Sequence, residues 1–496
     1  MQDFQSEILG QSRLVELVKT LQPEEKAQIL QYITVPLFNN GRMRAFVGPL
    51  LDICMNHPWQ DVEQRLDKKG VFAVLFPGQE FQDGKLEKVM VEAYKFVRSC
   101  LLANNYFRAE NEFTQTLDFA EIIRMKGLKV RYQQSLSRLK KMQEDFPWDN
   151  ATYLHRQFLL EDAIHDDACF HNLVKGDLNV PNTLQYLDRY YQINRLELLN
   201  RFLLQQKVAN LEVPESIRML IEESHLPDRY LEESPAIRIN NEIFKLLRKK
   251  HSEPSDVRML FDMLLFHEKN LSPTSLREFY AYLRNLCTLI SNRSLDDEEI
   301  RITLHELYKD NLARGYLHYE GKLHPSLYLA VSMVAVRVKA FDWALAFIEN
   351  HKHDIISENE SQDIYHFNLA YYLFGVGKFS ECLDYIPATS PFLDYMLHGK
   401  RLELKAYYEL QSDLLSYKLD AFKMFLSRTS QKLLSNTQKQ VNVEFANLLT
   451  QLITSIPGDQ KRADIVIKRV EEKKQAAEWR WLLTKAKALK NTHGSI

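Results

Sequence analysis

The residue types best suited to chemistry lie between Leu159 and Asn172, in the run LLEDAIHDDACFHN. His165, Asp166, Asp167 and His171 are metal-ligand types, and imidazoles beside carboxylates can hold a divalent cation that activates water. The run reads as helix, so the helical period decides which side chains share a face. On that wheel the core stripe is Leu159, Ala163, Phe170 and Val174, and His165 points almost opposite to it, toward solvent. Asp167 and His171 are four apart, lie on or beside the stripe, and can pair with each other. The simpler expectation is a surface helix with one buried Asp–His hydrogen bond. The alternative is a metal-dependent hydrolase around Asp167 and His171.

The His165-Asp166 pair resembles the His-Asp pair of metal-dependent phosphohydrolases. That resemblance implies a separate upstream His and a distant Asp in matching contexts, and neither is identifiable in the sequence. The remaining histidines, among them His305, His318, His324, His351 and His353, follow no H-E-x-x-H or Cys/His zinc spacing. Gly375-Val-Gly-Lys378 is too short for a Walker loop, and no nucleophile elbow or dinucleotide fingerprint occurs. The expectation is a non-enzymatic protein with no catalytic residue, no cofactor and no metal.

Two basic stretches suggest different chemistry. Arg124 to Lys141 carries seven Lys or Arg residues against few acids, and Lys461 to Lys490 interleaves its charges with Trp479 and Trp481. Such helices could follow a phosphate backbone while aromatics stack on bases. A solvated face is the plainer expectation, because Trp479, Leu482 and Leu483 share one face and read as a packing edge. Nucleic-acid binding through 124–141 and 461–490 is therefore the second choice.

The elements that would position these groups are helices. A hydrophobic fraction of 45% with 26% charged residues marks a folded chain, and only 15 Gly and 16 Pro in 496 residues argue against many β-turns. The net charge of -2 excludes a uniformly basic binder. Five scattered cysteines without a C-x-x-C pair point to a reducing compartment. The start lacks a basic region followed by an apolar one, and no apolar run reaches the roughly 18 residues of a membrane span. A cytoplasmic protein without membrane contact is expected.

Along the chain, Pro23-Glu24-Glu25 opens a helix, and Val71–Phe76 reads as buried helix ended by Pro77-Gly78 in preference to a strand. Longer helices are expected from about Lys85 to Ala103 and from about Asn105 to Met142. Pro214, Pro235, Pro254 and Pro273 then recur about every 20 residues, each before an apolar periodic stretch, which is the beat of stacked hairpins. Asp296 to Glu299 continues it with acidic groups at a helix start. One long charged helix, Lys461 to about Lys490, is expected to cap the end.

The clearest unit is Asp363 to Pro387. Phe367, Leu369, Ala370, Tyr372 and Leu373 form a stripe, Gly377 suits a left-handed helix end, and Phe379, Cys382, Leu383 and Ile386 resume the period before Pro387. With His366, Leu369, Ala370, Leu373, Cys382 and Ile386 in the pattern positions, this resembles the tetratricopeptide repeat (TPR). A second copy has Tyr328, Val331, Ser332, Ala335, Ala344 and Ile348, and a weaker third has Leu404, Tyr408 and Leu414. The resemblance covers Leu323 to Arg428, with His in place of the aromatic and an early proline as departures. The overall pattern is similar to that of bacterial proteins of this type.

The resemblance implies an all-α fold, an α-solenoid of antiparallel helix hairpins forming a right-handed TPR-like superhelix, after a less regular helical N-terminal region. The expected divisions are 1–147, 148–320 and 321–496. It also implies a concave groove, lined by the first helix of each hairpin, that holds a protein or peptide partner as in a scaffold or adaptor. His366, Asn368, Tyr371, Arg401 and Tyr407 are the expected groove contacts.

Overall fold

The computed structural model describes Leu9 and residues 12–35, 43–58, 66–170, 178–209, 212–223, 226–293, 298–356, 361–388, 392–430, 433–456 and 458–491. Among these residues the chain is helical, with isolated bridges in place of any strand. It divides into two units, one of residues 1–146 with 156–183, the other of 147–155 with 184–496.

The first unit contains α1 (Arg13–Thr20), α2 (Pro23–Tyr32), α3 (Gly48–Asn56), α4 (Lys68–Leu75), α5 (Asp83–Tyr106), α6 (Glu112–Met125), α7 (Lys129–Glu144) and residues 156–170 of α8 (Ala151–Phe170). Pro23 occupies the first position of α2, and the Gln22 amide donates to Glu25 Oε2 at 2.9 Å. Val71 to Leu75 is helical, capped by Asp67, whose carboxylate accepts from the Gly70 amide. The helix expected from Asn105 to Met142 is instead a hairpin of α6 and α7. Gly127 takes φ 71°, and its amide and that of Leu128 bond back to Arg124 and Ile123. That is a Schellman turn, which only a residue without Cβ adopts cheaply, and it lets both helices bury their stripes together.

The second unit begins with residues 151–155 of α8 and most of α9 (Val180–Ala209). It continues through α10 (Glu215–Glu222), α11 (Asp228–Glu233), α12 (Pro235–Arg248), α13 (Pro254–His267), α14 (Pro273–Arg293) and α15 (Glu298–Ala313). Pro235, Pro254 and Pro273 each stand at a first helical position, and Pro214 immediately precedes α10. Glu298 and Glu299 lie in the first turn of α15; Asp296 and Asp297 are outside the described residues.

Three hairpins follow: α16 (Pro325–Arg337) with α17 (Phe341–Asn350), α18 (Ser361–Gly375) with α19 (Phe379–Asp384), and α20 (Leu393–Glu409) with α21 (Leu414–Arg428). Each first helix packs on its own partner and on the first helix of the next hairpin. The small residues make this close approach possible, since Ala335, Ala344, Ala370 and Cys382 are all fully buried. One buried cluster includes residues from Leu154 to Ala406, on both sides of residue 320.

α22 (Asn436–Ile453), α23 (Gln460–Glu472) and α24 (Trp479–Asn491) close the unit. The single helix expected from Lys461 to Lys490 is two, α23 and α24, packed against each other. The stripe Ala463, Val466 and Val470 and the stripe Leu482, Leu483, Ala486 and Leu489 become buried together only if the chain reverses between them. The reversal leaves Glu478 at φ 56°, a left-handed conformation unusual for a non-glycine residue.

Candidate functional site

The run at 159–172 does not assemble as read from the wheel. The residues of α8 that pack in a core cluster of the first unit are Leu160, Ala163 and Ile164, which keeps Ala163 of the expected stripe but puts Leu160 in the place of Leu159. His165 is accordingly half-buried, not solvent-facing, with Nδ1 2.6 Å from the Leu178 carbonyl oxygen. Asp167 accepts from Gln133 Nε2 at 3.4 Å, and Asp166 lies 3.7 Å from Arg124. His171 is outside the described residues, as is Val174. Cys169, expected beside an apolar stretch, is exposed, whereas Cys54, Cys100, Cys287 and Cys382 are buried as expected of small hydrophobes.

Part of each basic stretch is paired where it lies. Arg124 is held by Glu121, Arg138 by Glu112, Lys473 by Glu444, Lys485 by Glu409 and Lys490 by Asp464. Trp479 and Trp481 pack against the last core cluster, and Trp481 Nε1 donates to Glu409 Oε1 at 2.8 Å.

The expected groove residues separate. Asn368 is fully buried; its amide donates to the Ile364 carbonyl at 2.7 Å and lies 3.3 Å from the Tyr395 hydroxyl, while its oxygen accepts from Ser332 Oγ. It therefore ties α16, α18 and α20 together and presents nothing to a ligand. His366 bonds Gln362 and lies edge-on to Tyr385, and Tyr407 lines a different cavity, with the Lys418 ammonium 5.6 Å from its ring centre. Tyr371 and Arg401 both neighbour Glu478, the first as lining of the same cavity and the second by direct contact, and they lead to a site that the spacing had not marked.

That site is built on α20. His398, Arg401 and Lys405 are three and four residues apart and so share one helical face. Arg401 is 7% exposed; its guanidinium donates to Asn442 Oδ1 at 2.7 Å and to His398 Nδ1 at 2.9 Å. Lys405 is 4% exposed and donates to Glu478 Oε2 at 2.7 Å, with Arg401 Nε 3.5 Å from the other oxygen. Burial by itself would raise the Glu478 carboxyl, but Lys405 and Arg401 outweigh that and hold it well below the ordinary carboxylate range. Burial, and then Arg401, push His398 down to about 3, so its ring is neutral and Nδ1 is free to accept.

Two adjoining cavities, of about 440 and 450 Å³, open over this face and share Arg301 and Arg337 as common wall. The first is mainly apolar, with Leu304, Leu329, Met333 and Phe392 beside His398 and Tyr395. The second is polar, lined by Glu298, Tyr371, Lys405, Glu478 and the segment Trp479–Trp481. Arg337, the last residue of α16, is solvent-exposed although protein surrounds it, which places its charge inside the recess and not on an outer face. The Tyr371 oxygen, and further Glu478, raise its basicity against the cost of that enclosure. Across both cavities Arg301, Arg337, Lys405 and Arg480 face the carboxylates Glu298 and Glu478. Among the described residues that line it, cations thus outnumber carboxylates, in a chain whose net charge is -2. The chemistry of this lining suits an anionic group, and the apolar cavity beside it suits a hydrocarbon neighbour.

The sequence did carry a signal for it. Arg337 ends the chain's strongest apolar run, and Lys405 stands between the buried Leu404 and Ala406. A charge kept inside an apolar stripe needs a partner, and here the partner is Glu478, far along the chain. Comparisons of the chain with family models, with curated proteins and with solved structures gave no match.

Proposed function

We propose that the protein is a non-enzymatic binding protein that seats an acidic segment of a protein or peptide partner in the recess over α16, α18 and α20. A carboxylate of the partner lies between Arg301 and Arg337, and an adjacent apolar side chain enters the annex of Leu304, Leu329 and Met333. The observation that carries this reading is the enclosed yet solvent-exposed Arg337, in the wall of both cavities and on the positive side of the local balance. The succession of first helices α16, α18 and α20 supports a TPR-like stack of hairpins, an architecture that leaves a continuous inner surface for a partner. The buried thiols, with Cys54, Cys100, Cys287 and Cys382 each pushed up to about 12 by burial, fit a cytoplasmic scaffold that keeps its cysteines reduced.

The test is fluorescence anisotropy with labelled short peptides that place clustered Asp or Glu beside Leu or Phe, against Lys-containing counterparts. Acidic peptides should bind, the basic ones should not, and Arg301→Glu with Arg337→Glu should remove binding. Affinity should fall as salt rises, because exposed charges are screened beyond about 8 Å at physiological ionic strength. Equal binding of both peptide sets, or binding unchanged in the charge-reversed variant, refutes the reading.

A further inference from the structure

A second cluster lies apart from the recess, where the loop after α15 meets the loop after α17. We propose that His318, His351 and Asp354 form a site for a divalent transition-metal cation of the Zn²⁺ class, with water completing its coordination.

The geometry begins with the backbone. Gly315 takes φ 74° at the end of α15, and the Tyr316 amide bonds back to the Asn311 carbonyl at 2.8 Å. Tyr319 and Lys322 exchange two hydrogen bonds of 2.8 and 2.9 Å around Glu320 and Gly321, both at positive φ, which makes a tight hairpin directly after His318. The next residue joins this loop to the other one. The Leu323 amide donates to the Asp354 carbonyl at 2.7 Å, and the Ile356 amide donates to the Leu323 carbonyl at 2.9 Å. Lys322 Nζ adds a bond to the His353 carbonyl at 2.9 Å. Two loops more than thirty residues apart in sequence are thereby fixed to each other at the backbone, and the ligand types flank the junction.

Each of the three side chains offers one ligand atom, and those atoms all lie within 4.8 Å of one another. Zinc with N and O ligands at about 2.0–2.1 Å needs ligand atoms roughly 3.4 Å apart, a closure that small side-chain rotations supply. All three residues are half-buried, so water reaches the site while the loops hold the ligands. Asp354 Oδ2 lies 2.8 Å from His351 Nδ1, so these two ligand atoms already converge on one point, and a bound cation would replace their mutual contact. Arg277 opposes a cation from one side and Asp354 favours it from the other. Lys352 is engaged with Glu349 and the Tyr365 ring. An ordinary His–Asp pair accounts for His351 and Asp354, but not for a second imidazole delivered from a separate, pinned loop.

The test uses the full chain after chelator treatment, titrated calorimetrically with ZnCl₂ and, separately, with CoCl₂ to read the visible spectrum of bound Co²⁺. One ion per chain is expected, with the absorption of a low-coordinate site. His318→Ala and His351→Ala should each weaken binding about tenfold or more, whereas the exposed neighbour in His353→Ala should not. His351 packs on Phe347, so circular dichroism checks the fold of its variant, and His318→Gln serves as a second variant free of that contact. No binding by the wild type, unchanged binding in both His318 variants, or loss in His353→Ala alone overturns the proposal.

Discussion

Replacing Glu478 with Gln isolates the energetics of the recess, because one carboxylate there balances two buried cations. Side-chain exposure is 15% for Glu478, 5% for Lys405 and 8% for Arg401, so solvent screens the pair little. Removing one partner of such a pair leaves an uncompensated buried charge, which typically costs about 3–5 kcal/mol. The Gln amide still accepts one hydrogen bond, which places the expected loss near about 3 kcal/mol. Lys405→Met combined with Glu478→Gln should recover most of it, since apolar replacement of a whole buried pair is often neutral. Urea unfolding followed by tryptophan fluorescence reads this locally, because Trp479 and Trp481 flank the site. The pH dependence has a defined sign. The folded carboxyl titrates below its ordinary value of 4.5, so its stabilisation is complete above pH 4.5 and is lost as pH falls below it. The difference between wild type and Glu478→Gln should therefore be constant near neutrality and shrink in acid. Binding should move in the opposite direction, since the variant recess is more positive and should hold acidic peptides several-fold more tightly. A variant within about 0.5 kcal/mol of wild type at pH 7, or a difference that does not shrink as pH is lowered progressively from 4.5, refutes the reasoning.

Further predictions address the same helices. His398 is neutral in the fold down to about pH 3 but takes a proton at about 6.5 when unfolded, so wild-type stability should fall as pH drops below 6.5. His398→Gln, whose amide oxygen can still accept from Arg401, should flatten that slope in an unfolding series across pH. A Cβ at Gly375 would stand 2.3 Å from Val336 Cγ1, so Gly375→Ala forces a stiff, buried valine aside. Overpacking of that kind costs about 1–3 kcal/mol and exceeds the 0.5–1 kcal/mol gained by removing a helical glycine. A lower urea midpoint, partly restored by Val336→Ala, is expected.

How far the sequence reached can be judged from particular residues. Of the repeat-like positions, Tyr328, Val331, Ser332, Ala335, Ala344, Ile348, Ala370, Leu373, Cys382 and Leu404 are buried, whereas His366, Leu369, Ile386 and Tyr408 are half-buried. The helix α19 begins at Phe379, where the apolar period was expected to resume after Gly377, and α17 and α21 begin at Phe341 and Leu414. Leu414 itself is exposed, and Leu415 takes the inward place. Proline at helix starts and Gly377 at a helix end were legible because backbone geometry forces those residue types wherever the chain turns. The two hairpins read as single helices failed for other reasons. Helical propensity continues through the second break, where only the gain from burying two stripes against each other favours reversal, whereas the first holds Gly127, a helix-end signal that the reading passed over.

The sequence by itself thus determined an all-helical chain, its hairpin rhythm and its local caps, since these depend on periodicity and on the steric limits of Gly and Pro. The tertiary structure alone decided which polar side chains meet. It buried Asn368 as a tie between helices, joined Lys405 and Arg401 to Glu478, and brought His318 to His351 and Asp354. Each of these meetings spans elements distant along the chain. Burying the apolar stripes sets how those elements stack, and the charged residues follow with the backbone that carries them.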